Sequence, residues 1–337
     1  MTVEEFIDDW HSPADKLLVH TSGSTGKPKP LWVEKKRMEA SARITCSFLG
    51  LKAGESALLC MPLDFIAGKM MVVRSIVCGL RLVSVPPSGH PFSSLVTDDG
   101  THEDEPFSLV AMVPMQVYNT LRCSKEREAL MRARNIIIGG GVIDEALEKE
   151  LRTFPNAVWS TYGMTETLSH IALRRINGPE ASQWYTPFEN VSVSLNADDC
   201  LVIDAPAVCP SSLVTNDRAE IAPDGRRFRI LGRKDNVICS GGIKIQIEEV
   251  ERELRQFLSI PFMITKRKDA KFGDIVVLLT QYSCMDEVRN VCKRMLPPYW
   301  QPRLYASVES LPMTATGKPA RAEAEKIVSE LFVNSEP

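Results

Sequence analysis

The chain has 337 residues and 44% hydrophobic content, enough to fill a sizeable core divided between one large and one small domain. Forty basic side chains stand against forty-three acidic ones with no long run of one sign, which argues against nucleic acid or an anionic membrane as a partner. Nine scattered cysteines with no Cys-x-x-Cys pair argue against a zinc framework, so small-molecule chemistry in a reducing, cytoplasmic setting is expected.

Residues 1–10 carry Glu4, Glu5, Asp8 and Asp9 in place of a basic head and an apolar run. No stretch reaches roughly 18 uninterrupted apolar residues, so membrane insertion is not expected. Short apolar runs at 17–19, 57–61, 82–85, 109–113, 136–138 and 158–159 read as strands. Helical patterns lie between several of them. The clearest is 144–154, where Asp144 can cap the N-terminus and Ala146, Leu147, Leu151 and Phe154 form an apolar stripe. This alternation predicts an α/β fold with a substantial parallel sheet. After about Arg229 the texture changes: Gly232-Arg233-Lys234-Asp235, a Gly241-Gly242 turn and a charged amphipathic helix at 247–257 predict a boundary. A large domain at 1–233 and a small α+β domain at 234–337 are expected. The smaller one has strands near 262–265 and 275–279, a helix at 286–295, a strand near 304–308 and a last helix from Arg321.

Two loops carry the chemistry. The strand at 17–19 runs into Thr21-Ser22-Gly23-Ser24-Thr25-Gly26-Lys27-Pro28-Lys29, where small residues let backbone N–H groups approach a polyphosphate and two lysines balance its charge. It is not a P-loop of the Walker type: Pro28 stands where a magnesium-binding hydroxyl is needed, only two residues separate Gly23 from Gly26, and Pro30 disfavours an immediate helix. Taken alone, the segment reads equally as a flexible surface loop. Near the other end, Pro312-Met313-Thr314-Ala315-Thr316-Gly317-Lys318 places one lysine on a glycine-containing loop, where a cation could meet an anionic reaction centre.

These two segments occur in one order with Tyr162-Gly163-Met164-Thr165-Glu166-Thr167, Thr215-Asn216-Asp217, and Gly232-Arg233-Lys234-Asp235 followed by Gly241-Gly242 and Glu248-Glu249-Val250-Glu251. The set, from residue 21 to 318, resembles the acyl-adenylate-forming superfamily of acyl-CoA synthetases, peptide-synthetase adenylation domains and luciferases. The resemblance implies a large ATP- and acyl-binding domain followed by a small mobile one, with ATP, Mg2+ and CoA as cofactors and a carboxylic acid as substrate. It implies that Thr21, Ser22, Gly23, Ser24, Thr25, Gly26 and Lys27 hold the phosphates. Tyr162 would stack on adenine beside Gly163, Thr165 would bond the α-phosphate, and Glu166 would hold the metal. Gly140 and Gly141, in the Gly139-Gly140-Gly141 segment, would line the adenine and acyl sites. Asp217 and Arg233 would meet the ribose, with Asn216 standing where a glycine is usual. Asp235 would be the hinge, Gly241 and Gly242 would line the CoA tunnel, and Lys318 would bridge carboxylate and nucleotide.

Within that superfamily, Met61-Pro62-Leu63-Asp64-Phe65-Ile66-Ala67-Gly68-Lys69 and the run Glu166-Thr167-Leu168-Ser169-His170-Ile171-Ala172-Leu173 resemble the o-succinylbenzoate:CoA ligases of menaquinone biosynthesis. Phe65 occupies a position where many relatives carry histidine. An aromatic dicarboxylate keeps one carboxylate unactivated, and Lys69, Ser169 and His170 are the candidates to receive it. An enzyme delivering another acid to CoA or to a carrier protein would share every ATP motif. A non-catalytic relative would be expected to lack Glu166 or Lys318. Relatives usually carry a longer segment before the phosphate loop, and exposed sheet edges there suggest a homodimer as cover.

Overall fold

The computed structural model describes residues 1–20, 29–96, 105–314 and 319–332, so the expected phosphate loop at 21–27 and Lys318 lie outside the described residues. Helix α1 (Val3–His11) starts with a reciprocal cap: Thr2 accepts from the Glu5 N–H at 3.2 Å, and the Thr2 N–H donates to the Glu5 carboxylate at 2.7 Å. Its Phe6 and Trp10 are buried. Strands β1 (Lys16–His20) and β2 (Pro30–Glu34) then pair antiparallel as a two-stranded ribbon.

A seven-stranded sheet forms the centre. It is built along α2 (Lys35–Phe48), β3 (Ser56–Leu59), α3 (Ile66–Cys78), β4 (Arg81–Ser84), β5 (Leu109–Met112), α4 (Pro114–Arg122), α5 (Ser124–Arg132), β6 (Asn135–Ile138), α6 (Glu145–Leu151), β7 (Ala157–Gly163), β8 (His170–Arg175) and β9 (Thr186–Pro187). The strand order is β4-β3-β5-β6-β7-β8-β9, parallel from β4 to β7 and antiparallel at β8 and β9. Alternate residues of the central strands enter different cores. Ala57, Leu59, Leu109 and Ala111 pack with α1, α2 and α3, whereas Leu58, Val110, Met112 and Ile136 pack with Val117 of α4, Leu130 of α5 and Leu147 of α6. A strand buried on both faces needs an unbroken apolar run, which is the pattern these segments show. Asp144 caps α6 as expected, its Oδ1 accepting from the Leu147 N–H at 2.8 Å, although the helix ends at Leu151.

The next four strands, β10 (Ser192–Leu195), β11 (Cys200–Asp204), β12 (Leu213–Ile221) and β13 (Phe228–Arg233), make an antiparallel sheet whose Leu201, Ile203, Ala219 and Phe228 join the first core. The chain passes through 234–236 into a further sheet. That sheet comprises β14 (Val237–Ser240), β15 (Ile243–Gln246), α7 (Ile247–Arg255), β16 (Phe262–Asp269), β17 (Gly273–Thr280), α8 (Met285–Met295), β18 (Leu304–Ser307) and α9 (Arg321–Leu331). Its order is β15-β14-β17-β16, with β18 added parallel to β17. Helices α7 and α8 cover one face and α9 the other. The α/β class is as the sequence predicts. Among the described residues, no helix is long and apolar enough to cross a membrane.

Candidate active site

The sheet end of β7 positions Tyr162, and the pairing of β12 with β13 brings Asp217 directly opposite Arg233. The Tyr162 hydroxyl donates to Asp217 Oδ2 at 2.7 Å, while Arg233 Nη1 lies 3.5 Å from Asp217 Oδ1 and Nη2 lies 3.0 Å from Asp235 Oδ2. Asn216 Nδ2 also donates to Asp235 at 3.2 Å. Four residues named from the sequence, Tyr162, Asp217, Arg233 and Asp235, therefore meet in one cluster. The Tyr162 ring packs edge-on against Phe228, with centroids 5.1 Å apart, which fixes its plane. Burial, and next the Asp217 charge, push the Tyr162 hydroxyl well above its ordinary range, so it stays a donor.

Beyond Gly163 the chain folds through a short 3-10 turn, Thr165–Thr167, before entering β8. Thr165 is buried. Glu166 is exposed and makes no hydrogen bond or ion pair among the described residues. No group of three or more His, Cys, Asp or Glu among them could enclose a metal ion. Glu166 nonetheless fits magnesium, which commonly takes one or two carboxylates and completes its shell with water and substrate phosphates. Gly140, in the loop after β6, has φ 78° and leaves the helical and strand regions that a side chain favours. Gly241 and Gly242, with φ 57° and 85°, form the two-residue turn between β14 and β15. No described hydrogen bond joins that turn to the Tyr162 cluster.

A second cluster forms where β8 meets α2 and α3. Arg74 is 2% exposed, and its Nη2 donates to Ser169 Oγ at 2.6 Å. Ser169 Oγ lies 3.2 Å from His170 Nδ1, and His170 Nε2 lies 3.1 Å from Thr45 Oγ1. Among the described residues no carboxylate pairs with Arg74, and its Nε has no partner. Burial lowers the Arg74 pKa to about 10, so the guanidinium remains charged at neutral pH. The nearby Cys46 thiol, pushed up to about 12 mainly by burial, supplies no counter-charge. A buried cation without an anion is costly, and an anionic ligand would offset that cost.

Lys69 does not join this cluster, contrary to the expectation from sequence. Five residues of α-helix turn the side chain by roughly 140°, and Lys69 faces α1 instead. Its Nζ lies 3.3 Å from Met1 Sδ and 5.2 Å from the centre of the Phe6 ring. Burial lowers its pKa, with Asp64 and Asp9 opposing. Phe65, half-buried, stands at the N-terminus of α3 in an extended conformation. Arg74 and Thr45 were missed from sequence. The signal was there for Arg74: between Gly68 and Cys78 it and Lys69 are the only charged residues in an otherwise apolar helix.

Known proteins resemble this chain in sequence and in fold. The family described as AMP-binding enzyme matches residues 8–204. The 2-succinylbenzoate–CoA ligase of Bacillus mycoides is 26% identical over 364 residues, covering 97% of this chain and 73% of that protein. The corresponding ligase of Haemophilus influenzae is 27% identical over 295 residues, covering 82% of this chain and 61% of its own. Among solved structures, an acyl-CoA synthetase (AMP-forming)/AMP-acid ligase II-like protein from Dyadobacter fermentans is 31% identical with a TM-score of 0.64, covering 96% of this chain and 93% of that one. The o-succinylbenzoate coenzyme A synthetase of Bacillus subtilis, solved with ATP and magnesium ion, shares the fold at 22% identity and a TM-score of 0.74, covering 91% and 69%. The chain belongs to the AMP-binding, adenylate-forming enzyme superfamily.

Proposed function

We propose that this protein is an acid:CoA ligase that adenylates o-succinylbenzoate and then transfers the acyl group to CoA. The observation that carries the choice of acid is Arg74, a buried guanidinium with no carboxylate partner among the described residues, next to Ser169 and His170. A dicarboxylate leaves one carboxylate unactivated, and Arg74 suits it through charge-assisted hydrogen bonds.

The chemistry follows in two steps. The substrate carboxylate oxygen attacks the α-phosphorus of ATP, the bond to the bridging oxygen breaks, and pyrophosphate leaves. The CoA thiol then attacks the acyl carbon, forming the thioester and releasing AMP. In this reading Asp217 and Arg233 hold the ribose, Tyr162 supports the adenine, and Thr165 donates to the α-phosphate. Lys318 stabilises the charge that shifts between carboxylate and phosphate during the first step. Glu166 would hold magnesium, which would supply positive charge to offset that of the polyphosphate. The residues at 21–27 cradle the phosphates. We take 1–233 and 234–337 as two bodies hinged at Asp235, so that Lys318 serves the first step and Gly241-Gly242 faces pantetheine in the second.

The test is ATP-dependent pyrophosphate release against a panel of acids, with and without CoA, with the product identified by mass. Turnover and thioester formation selective for o-succinylbenzoate support the reading. Turnover with another acid only rejects the substrate, and release without thioester formation points to a carrier protein. Lys318→Ala should lower adenylation by about 10²-fold or more while sparing thioester formation from supplied acyl-adenylate. Equal loss of both half-reactions rejects the role of Lys318.

A further inference from the structure

A continuous hydrogen-bond chain runs from α2 to Arg74, and its direction follows from which hydroxyl hydrogens find acceptors. The Thr45 hydroxyl lies 3.0 Å from the Ser41 carbonyl and 3.1 Å from His170 Nε2. On the other side of the imidazole, Nδ1 lies 3.2 Å from Ser169 Oγ, which accepts from Arg74 Nη2 at 2.6 Å. The carbonyl can only accept and the guanidinium can only donate.

If Thr45 donates to Ser41, it accepts the His170 Nε2–H. His170 Nδ1 then accepts the Ser169 hydroxyl hydrogen, and a Ser169 lone pair faces Arg74. Every hydrogen in this pattern has an acceptor. In the reverse pattern Ser169 accepts from both His170 and Arg74, and its own hydrogen has no acceptor among the described residues. The network therefore assigns the Nε2–H tautomer to His170. Burial, and next the Arg74 charge, hold His170 neutral, as this pattern requires. Thr45 and His170 are both buried, so water does not readily replace a missing link.

We propose that Thr45 is a positioning residue for substrate specificity: through His170 and Ser169 it holds the Arg74 guanidinium in an orientation in which the buried Nε meets no acceptor among the described residues, keeping that donor for the unactivated carboxylate of an aryl dicarboxylate. The chain adds no charge of its own, so the cation remains available to the substrate. A long side chain fixed before binding loses less freedom on meeting its ligand. The inference rests on the reading of Arg74 as the carboxylate's partner.

The experiment compares the full-length protein with Thr45→Val, Thr45→Ser and Arg74→Gln on two acids, o-succinylbenzoate and an analogue lacking the carboxyl group that is not activated. Thr45→Val is nearly isosteric and removes only the hydroxyl's hydrogen bonds. It should raise KM for the dicarboxylate about tenfold, with the effect confined to that acid and kcat little changed. Thr45→Ser should restore it. An unchanged KM for the dicarboxylate, or an equal rise for both acids, overturns the proposal. If Arg74→Gln raises the dicarboxylate KM while Thr45→Val does not, the relay fails and the carboxylate reading stands. If Arg74→Gln leaves the preference between the acids unchanged, the carboxylate reading fails and the relay falls with it. Nitrogen-15 NMR of His170 supplies a readout independent of turnover. The Nε2–H tautomer is expected in the wild type and its loss in Thr45→Val; an Nδ1–H tautomer in the wild type overturns the proposal.

Discussion

Two side chains convert the geometry into measurable consequences at the scale of single residues. Tyr162 holds Asp217 through a hydroxyl that cannot ionise near neutral pH. Tyr162→Phe keeps the ring against Phe228 but leaves Asp217 Oδ2 without that donor, so unfolding free energy should fall by about 1–3 kcal/mol and KM for ATP should rise. Urea denaturation and ATP titration check both; an unchanged KM would detach Tyr162 from the ribose site. His170 gives a pH signature. Its folded pKa lies well below the ordinary 6.5, mainly through burial and next through Arg74. The unfolded chain then binds a proton that the folded chain refuses, so this contribution to stability is intact above about pH 6.5 and is lost as pH falls. The stability difference between wild type and His170→Gln should shrink below that pH by up to about 1.4 kcal/mol per unit. A difference constant from pH 7 to 5 would mean that His170 titrates normally. None of this coupling was legible in the sequence, because Thr45, Arg74 and His170 lie on three elements that only the sheet brings together.

What could be read in advance at the scale of elements was set by how each element is buried. Strands β3, β5 and β6 are covered on both faces, so their unbroken apolar runs announced them. Asp144 announced α6 because a helix start needs a side-chain acceptor. The β10–β13 sheet was missed for the opposite reason. It is half exposed, and charged pairs such as Glu220 with Arg229 sit on its outer face. Helices α2 and α3 were not delimited because buried and polar residues are mixed along them, Lys69 and Arg74 among them. The ATP motifs were legible as residue types, whereas the turn that places Ser169 and His170 was not. That turn depends on Gly163: a Cβ there would meet the Ser169 carbonyl oxygen at 2.1 Å and His170 Cα at 2.4 Å. Both obstacles are backbone. Leu168, with φ 65°, adds an unusual backbone conformation in the same turn. Gly163→Ala should therefore destabilise the fold by about 2 kcal/mol or more and misplace the Ser169–His170 pair, visible as a lower urea midpoint and a raised acid KM. An unfolding free energy within about 0.3 kcal/mol of wild type would show that the turn can relax.

The molecule as a whole is divided by the character of its contacts. Two hydrophobic clusters fill the seven-stranded sheet and its helices, and the β10–β13 sheet shares one of them. Residues 238–332 have separate clusters on the two faces of the last sheet. Among the described residues no apolar cluster spans the two parts. The seam between them is polar: Gln246 donates to the Arg233 carbonyl at 2.9 Å and accepts from Arg218 at 3.2 Å, and the Arg233 N–H donates to Glu248 at 3.4 Å. Gly232 permits this close approach, since a Cβ would lie 2.5 Å from Gln246 Nε2. A hydrogen-bonded seam resists relative motion less than a shared apolar core would. The hinge proposed at Asp235 carries a direct prediction. Residues 234–337 expressed alone should fold, because their two clusters are complete without the rest of the chain. Urea unfolding of that fragment should be cooperative, and the intact protein should show two transitions, with the Gln246→Ala variant separating them further. If the fragment lacks dispersed NMR signals, or if the intact protein unfolds in one step, the seam is structural and a rotation about Asp235 cannot serve the two half-reactions.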